Sequence, residues 1–146
     1  MLIINEIIKN LPYEKPFLFV DNLQSVTENS IEGSYTFKKD EFFYEGHFKK
    51  QAITPGVILT ECCAQIGLVC LGIYLLKGEK EITGDFQVAL SSSEMQFLLP
   101  VYPLETVTVK SRKVYYRFNK LKCEVKMYNQ HAQLVCSGIL SGMLKK

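Results

Sequence analysis

The chain has 146 residues, of which 47% are hydrophobic, 12% aromatic and 22% charged, a balance near globular averages that excludes disorder, collagen-like repeats and low complexity. Seventeen Lys and Arg against fifteen Asp and Glu give a formal charge of +2, far below the basic excess that would tether a small domain to nucleic acid through its phosphates. One hydrophobic core suffices at this length, so residues 1–146 are expected to form a single domain.

The N-terminus, MLIINEIIKNLP, has no basic start followed by an apolar run and a small-residue cleavage site, so no signal peptide is expected. Its INEIIKN stretch, residues 4–10, reads as a short amphipathic helix ahead of Pro12. FLFV (17–20) is a strand candidate, and IEGSYTFK (31–38) alternates Ile31, Gly33, Tyr35 and Phe37 with polar residues, the period of a half-buried strand. Residues 57–76, VILTECCAQIGLVCLGIYLL, are long enough to span a membrane. Glu61 and Gln65, one helical turn apart, oppose that reading, because a charge at bilayer depth costs at least ~2.5 kcal/mol. An all-round apolar helix is otherwise a core helix. Thr54 is a candidate cap, Pro55 suits the first helical position, Gly56 follows, and Lys77 with Gly78 suits the end.

After this helix only strands are expected: DFQVAL (85–90), the β-branched and aromatic stretch 107–118, LKCEVKMY (121–128) and the apolar run 134–140. Asn119-Lys120 reads as a hairpin turn and residues 129–132 as another. The order predicts an α+β chain whose antiparallel sheet curves around one long buried helix. The five cysteines, Cys62, Cys63, Cys70, Cys123 and Cys136, form no metal-ligand spacing, and their odd number without a secretory signal points to a reduced, cytoplasmic protein.

Of the two histidines, His131 falls in a polar turn, whereas His47 sits in FFYEGHF, among aromatics and just before the helix start. Glu61, on a helix apolar around its circumference, needs a partner or a raised pKa, and either marks a candidate site; a hydrogen bond to Gln65 at i+4 is the structural alternative. Gly46-His47-Phe48, then Thr54-Pro55-Gly56-Val57, then Glu61 with Ala64-Gln65 resemble the signature of the FabA/FabZ-type 3-hydroxyacyl-acyl-carrier-protein dehydratases, which pair a GHF histidine with a helix acid fourteen residues later. Leu11-Pro12, Pro16 to Asp21, and Phe97 to Val101 with Pro103 extend the resemblance along the chain in order. It implies the hotdog fold, a long helix wrapped by an antiparallel sheet, and a hydro-lyase of fatty acid or related polyene or pigment synthesis. The departures are Lys49-Lys50 and Gln51-Ala52 after the GHF motif, Tyr13 where many relatives carry a second His, and Leu104-Glu105 where Gly-Asp is usual. They bear on substrate identity and leave the His47–Glu61 pair in place.

The resemblance implies catalytic roles for His47 and Glu61 in dehydrating a 3-hydroxyacyl thioester on acyl carrier protein, with its phosphopantetheine arm, to the trans-2-enoyl product. Neutral His47 is the base near working pH, Glu61 holds the proton that leaves with the hydroxyl, and the Gly56 N–H, in the first turn of the helix, polarises the thioester carbonyl. Phe48, Val57, Gln65 and Phe97 complete the expected substrate contacts, while Phe42, Phe43, Ile58, Leu59 and Leu98 are further candidate tunnel walls. No metal, nucleotide or flavin motif is present and no cofactor is expected. Lys38-Lys39, Lys49-Lys50 and Arg112-Lys113 are local basic clusters for an acidic carrier. The family also implies a homodimer, or a larger assembly of dimers, with His47 of one chain set against Glu61 of the other. A hotdog thioesterase and a non-catalytic acyl-binding subunit are the rival readings.

Overall fold

A computed structural model describes residues 2–79 and 86–145. Helix α1 (Leu2–Lys9) leads into strands β1 (Asn22–Val26) and β2 (Ser30–Thr36), and a 3-10 turn at Phe42–Glu45 precedes the central helix. That helix comprises α2 (Gly56–Ala64), a π-helical segment (Gln65–Cys70) and α3 (Leu71–Glu79). Strands β3 (Gln87–Phe97), β4 (Thr106–Arg117), β5 (Lys120–Tyr128) and β6 (Leu134–Lys145) follow. One antiparallel sheet, in the order β1-β2-β4-β5-β6-β3, wraps the helix. This is the expected α+β hotdog arrangement. The stretch apolar and long enough to cross a membrane, Gly56–Lys77, has 78% of its most apolar 18 residues buried inside the chain, as a core helix must.

The alternation in β2, β4 and β5 sends Ile31, Tyr35, Val107, Val109, Leu121, Cys123, Val125 and Met127 inward against Ile66, Leu68 and Leu71 of the helix. The π-helical segment lies over β2, β4 and β5. There Ser111 Oγ donates to the Gly67 carbonyl at 2.8 Å, satisfying a buried acceptor. A Cβ on Gly67 would sit 2.9 Å from both Ser111 Cβ and Val125 Cγ1. The helix therefore approaches the sheet at a glycine, at the distance that lets the hydroxyl reach.

Several local expectations are corrected. FLFV is not a strand: the Phe19 N–H donates to Gln65 Oε1 at 2.7 Å and the Phe17 carbonyl accepts from Gln65 Nε2 at 3.1 Å, so its backbone is spent on a side chain, and β1 begins at Asn22. Thr54 does not cap the helix, because its hydroxyl shares a 2.6 Å hydrogen bond with the Tyr44 hydroxyl. Pro55 is the residue before the first turn instead, its carbonyl accepting from Ile58 and Leu59. The hairpin turn is Phe118-Asn119, with φ of 52° and 62°, while Lys120 pairs with Arg117 inside the ladder. Two positive φ values match the twist of the flanking strands, although the left-handed region costs a non-glycine residue such as Phe118 roughly 1–2 kcal/mol. The candidates at 85–90 and 134–140 are ends of longer strands, since β3 and β6 pair from Gln87↔Lys145 to Phe97↔Cys136; residue 85 lies outside the described residues. The serine-rich half of β3 has weak strand propensity, and pairing with β6 decides its state.

Gly67→Ala provides a test of the close helix–sheet approach. Helix propensity favours alanine by ~1 kcal/mol, whereas crowding of Ser111 and Val125 costs ~1–3 kcal/mol. Urea denaturation should show a net loss of stability; a more stable variant would mean that the contact is not tight.

Candidate active site

His47 stands in the loop between the 3-10 turn and α2, and three backbone hydrogen bonds hold that loop. Phe48 N–H donates to the Gln51 carbonyl at 2.8 Å, Ile53 N–H to the His47 carbonyl at 2.9 Å, and Thr54 N–H to the Val101 carbonyl at 2.9 Å. The His47–Phe48 peptide is cis, and the two rings stack with centroids 3.9 Å apart. His47 Nδ1 lies 2.8 Å from the Ile53 carbonyl oxygen. A carbonyl only accepts, so Nδ1 carries a proton, and the tautomer this bond selects is the one whose lone pair is on Nε2.

The first turn of α2 lies beside this loop. Gly56 lacks a helical acceptor for its N–H, and its missing side chain leaves room for the Phe97 ring, 3.4 Å from where a Cβ would be. Val57 is 76% exposed, and Phe42, Phe48, Phe97 and Leu98 are also exposed. Ile58 and Leu59 are buried in the core, and Phe43 packs edge-on against Phe19 and Phe37.

One turn further, Glu61 is half-buried and accepts a hydrogen bond from Gln65 Nε2 at 3.0 Å. Burial raises its carboxyl above the ordinary carboxylate range, and the Gln65 bond only partly offsets the rise. Gln65 is fully buried, with its oxygen on Phe19 N–H and its nitrogen shared between the Phe17 carbonyl and Glu61. The bond to Glu61 is the i+4 contact that the spacing offered as the structural alternative to a site, whereas the anchoring of Phe17 and Phe19 had no sequence signal. Tyr13 is nearby: burial raises its phenol first, and the Glu61 charge raises it further. Among the described residues no hydrogen bond or ion pair joins His47 to Glu61 within one chain. His131 is an exposed turn residue, as expected, its N–H held by Asn129 Oδ1 at 2.9 Å. All five cysteines are buried free thiols, and among the described residues no cluster of three or more His, Cys, Asp or Glu could hold a metal ion.

The raised Glu61 pKa has a definite consequence for stability. The folded chain holds this proton more tightly than the unfolded one, so the associated stability is present below the ordinary carboxylate range and is lost as pH rises through the raised value. Glu61→Gln keeps the hydrogen bond with Gln65 and removes the titration. Its melting temperature relative to wild type should therefore rise as pH increases above the ordinary value of 4.5; a difference independent of pH would show that burial does not act on Glu61.

A family model described as a FabA-like domain matches residues 11–138. The chain is 31% identical to the 3-hydroxyacyl-[acyl-carrier-protein] dehydratase FabZ of Ehrlichia canis, over 98% of this chain and 95% of that protein. It is 34% identical to the FabZ of Acinetobacter baumannii, over 71% and 70%. In fold it resembles a dehydratase heterocomplex from Xenorhabdus doucetiae, with a TM-score of 0.80 at 15% identity over 96% and 91% of the two chains. A hypothetical thioesterase crystallised with coenzyme A, from Streptococcus pneumoniae, gives 0.64 at 14% identity over 85% and 84%. Full-length similarity to FabZ sequences, on a sheet-wrapped helix that carries the GHF histidine and the helix acid, places this chain in the FabA-like family.

Proposed function

We propose that this protein removes water from a 3-hydroxyacyl thioester carried on acyl carrier protein and releases the trans-2-enoyl thioester. The observation that carries the mechanism is the Nδ1 bond of His47 to the Ile53 carbonyl, which leaves Nε2 as the base. Nε2 takes a C2 proton, the electrons form the C2=C3 bond, and the C3–O bond breaks as Glu61 protonates the departing hydroxyl. Burial favours the protonated form of Glu61. Charge growing on the thioester oxygen meets the Gly56 N–H at the positive end of the helix. Proton exchange through solvent then restores neutral His47 and protonated Glu61. Phe48, Val57 and Phe97 lie where an acyl thioester would contact this turn, and Gln65 acts through Glu61.

The site belongs to two chains in this reading, His47 of one facing Glu61 of its partner. Supporting it are the absence, among the described residues, of a hydrogen bond or ion pair between the two side chains in one chain, the exposed Val57, Phe97 and Leu98 around the site, and the exposed edge strand β3. Residues 1–146 act as one domain in this account, in a reducing cytoplasm that suits five free thiols.

His47→Ala and Glu61→Gln should each lose at least ~100-fold in turnover, the low end for a positioned acid or base, while circular dichroism stays native. Mixing the two inactive variants under subunit exchange should recover roughly a quarter of wild-type activity, since about half the dimers are mixed and each has one whole site of two. A mixture confirmed by mass spectrometry that stays inactive rejects the shared site. Free thiol released in place of the enoyl product would make the protein a thioesterase.

A further inference from the structure

Among the described residues the buried polar side chains are Thr54, Gln65, Ser111 and Ser141. A buried polar group must find a partner or weaken the fold, and the partners of Gln65 and Ser111 fix Glu61 and the central helix. Thr54 has a different partner. Its Oγ1 lies 2.6 Å from the Tyr44 hydroxyl, and the two residues are 3% and 7% exposed. They stand at the two ends of a loop in which residues 45, 46 and 48 to 51 are exposed, and His47 lies between them. Tyr44 is itself fixed: its N–H donates to the Glu41 carbonyl at 3.1 Å, and the Glu41 carboxylate accepts from the Tyr35 hydroxyl and the Lys38 N–H, which ties this end of the loop to β2. Burial pushes the Tyr44 phenol up to about 12, so both hydroxyls keep their protons near neutral pH and either can donate.

His47 meets this bond through one peptide unit. The carbonyl that receives Nδ1 at 2.8 Å is that of Ile53, and the N–H of the same planar unit is that of Thr54, which donates to the Val101 carbonyl at 2.9 Å. With its N–H held by Val101 and the Thr54 side chain held by Tyr44, the unit has little freedom to turn its carbonyl away from the imidazole. Gly56, where α2 begins, follows two residues later. The pair adds little to stability, because a bonded pair of buried hydroxyls replaced by apolar groups of the same shape is nearly neutral, whereas removing one partner orphans the other. What the hydrogen bond supplies beyond such a replacement is direction, since it fixes the distance and angle between Tyr44 and Thr54.

We propose that the Tyr44–Thr54 hydroxyl bond is a positioning element for the base: it closes the loop and, through the Ile53–Thr54 peptide, aims the carbonyl that selects the His47 tautomer. The inference rests on the dehydratase reading for what His47 does and adds what holds it. The decisive variant is Tyr44→Phe/Thr54→Val, which removes both hydroxyls and keeps both shapes. It should melt close to wild type and above Tyr44→Phe alone, which orphans the Thr54 hydroxyl. On a 3-hydroxyacyl thioester its kcat should nevertheless fall about tenfold or more with KM within about twofold, because a misplaced base costs the transition state and leaves ground-state binding intact. Thr54→Ser keeps the hydroxyl and should keep most of the turnover. The chain has two histidines, so the ring-nitrogen chemical shifts of isotope-labelled protein, assigned with His47→Ala, read the tautomer directly. At a pH where the ring is neutral, wild type should show Nδ1 protonated and Nε2 bare, and the double variant a mixture of both tautomers. A double variant with wild-type turnover would make the bond merely structural and overturns the proposal, as does a double variant that loses turnover with the wild-type tautomer intact. A wild type that dehydrates no 3-hydroxyacyl thioester rejects the dehydratase reading, and the comparison of tautomers then still decides whether the bond sets His47.

Discussion

Gln65 is a polar amide fully buried in an otherwise apolar helix, and a group so placed must find hydrogen-bond partners or cost the chain several kcal/mol. It finds three. Its oxygen holds Phe19 N–H, and its nitrogen holds the Phe17 carbonyl and the Glu61 carboxylate. The same side chain therefore draws the segment before β1 across the helix and sets the direction of the acid. The edge-on aromatic contacts from Phe19 to Tyr35 and from Tyr35 to Phe37 carry that arrangement on into the sheet.

The π-helical segment begins at this residue, and its packing explains why the helix lies so close to the strands. Gly67 offers a bare backbone to Ser111 and Val125, and the Ser111 hydroxyl takes up its carbonyl. Widened turns inside helices recur at functional sites, and this one starts immediately after the stretch that carries Glu61. The acid is thus presented from a helix fixed on one side by a buried amide and on another by a glycine–serine contact. His47, in contrast, is held by loop backbone, through the Ile53 carbonyl and the ties of Phe48, Ile53 and Thr54. The two groups assigned to proton transfer therefore rest on separate supports, which suits a site in which they come from different chains.

Charge is distributed as unevenly as polarity. The central helix and the loop before it carry the candidate site, while the β4–β5 hairpin, with seven Lys and Arg against one acid, carries a net charge of +6. A field acting over a Debye length of ~10 Å steers encounter more than it holds a complex.

Composition and period determined much of this protein. Alternation over 31–38 and 121–128 located β2 and β5, and an apolar run broken by Glu61 and Gln65 located the buried helix. Glu61 was legible because a charge among apolar residues is locally conspicuous, and His47 because Gly46-His47-Phe48 resembles a family motif. The tertiary structure decided the rest. FLFV has strand propensity, yet its backbone groups bond to Gln65, which is 46 residues from Phe19 in sequence. The serines of β3 have little strand propensity, yet they pair along β6. Thr54 resembles a cap but bonds to Tyr44, and the His47 tautomer follows from a carbonyl, a group every residue carries. Local pattern reports what a segment favours alone, while backbone hydrogen bonds go to whichever partner the fold brings near, and that partner has no signature in sequence.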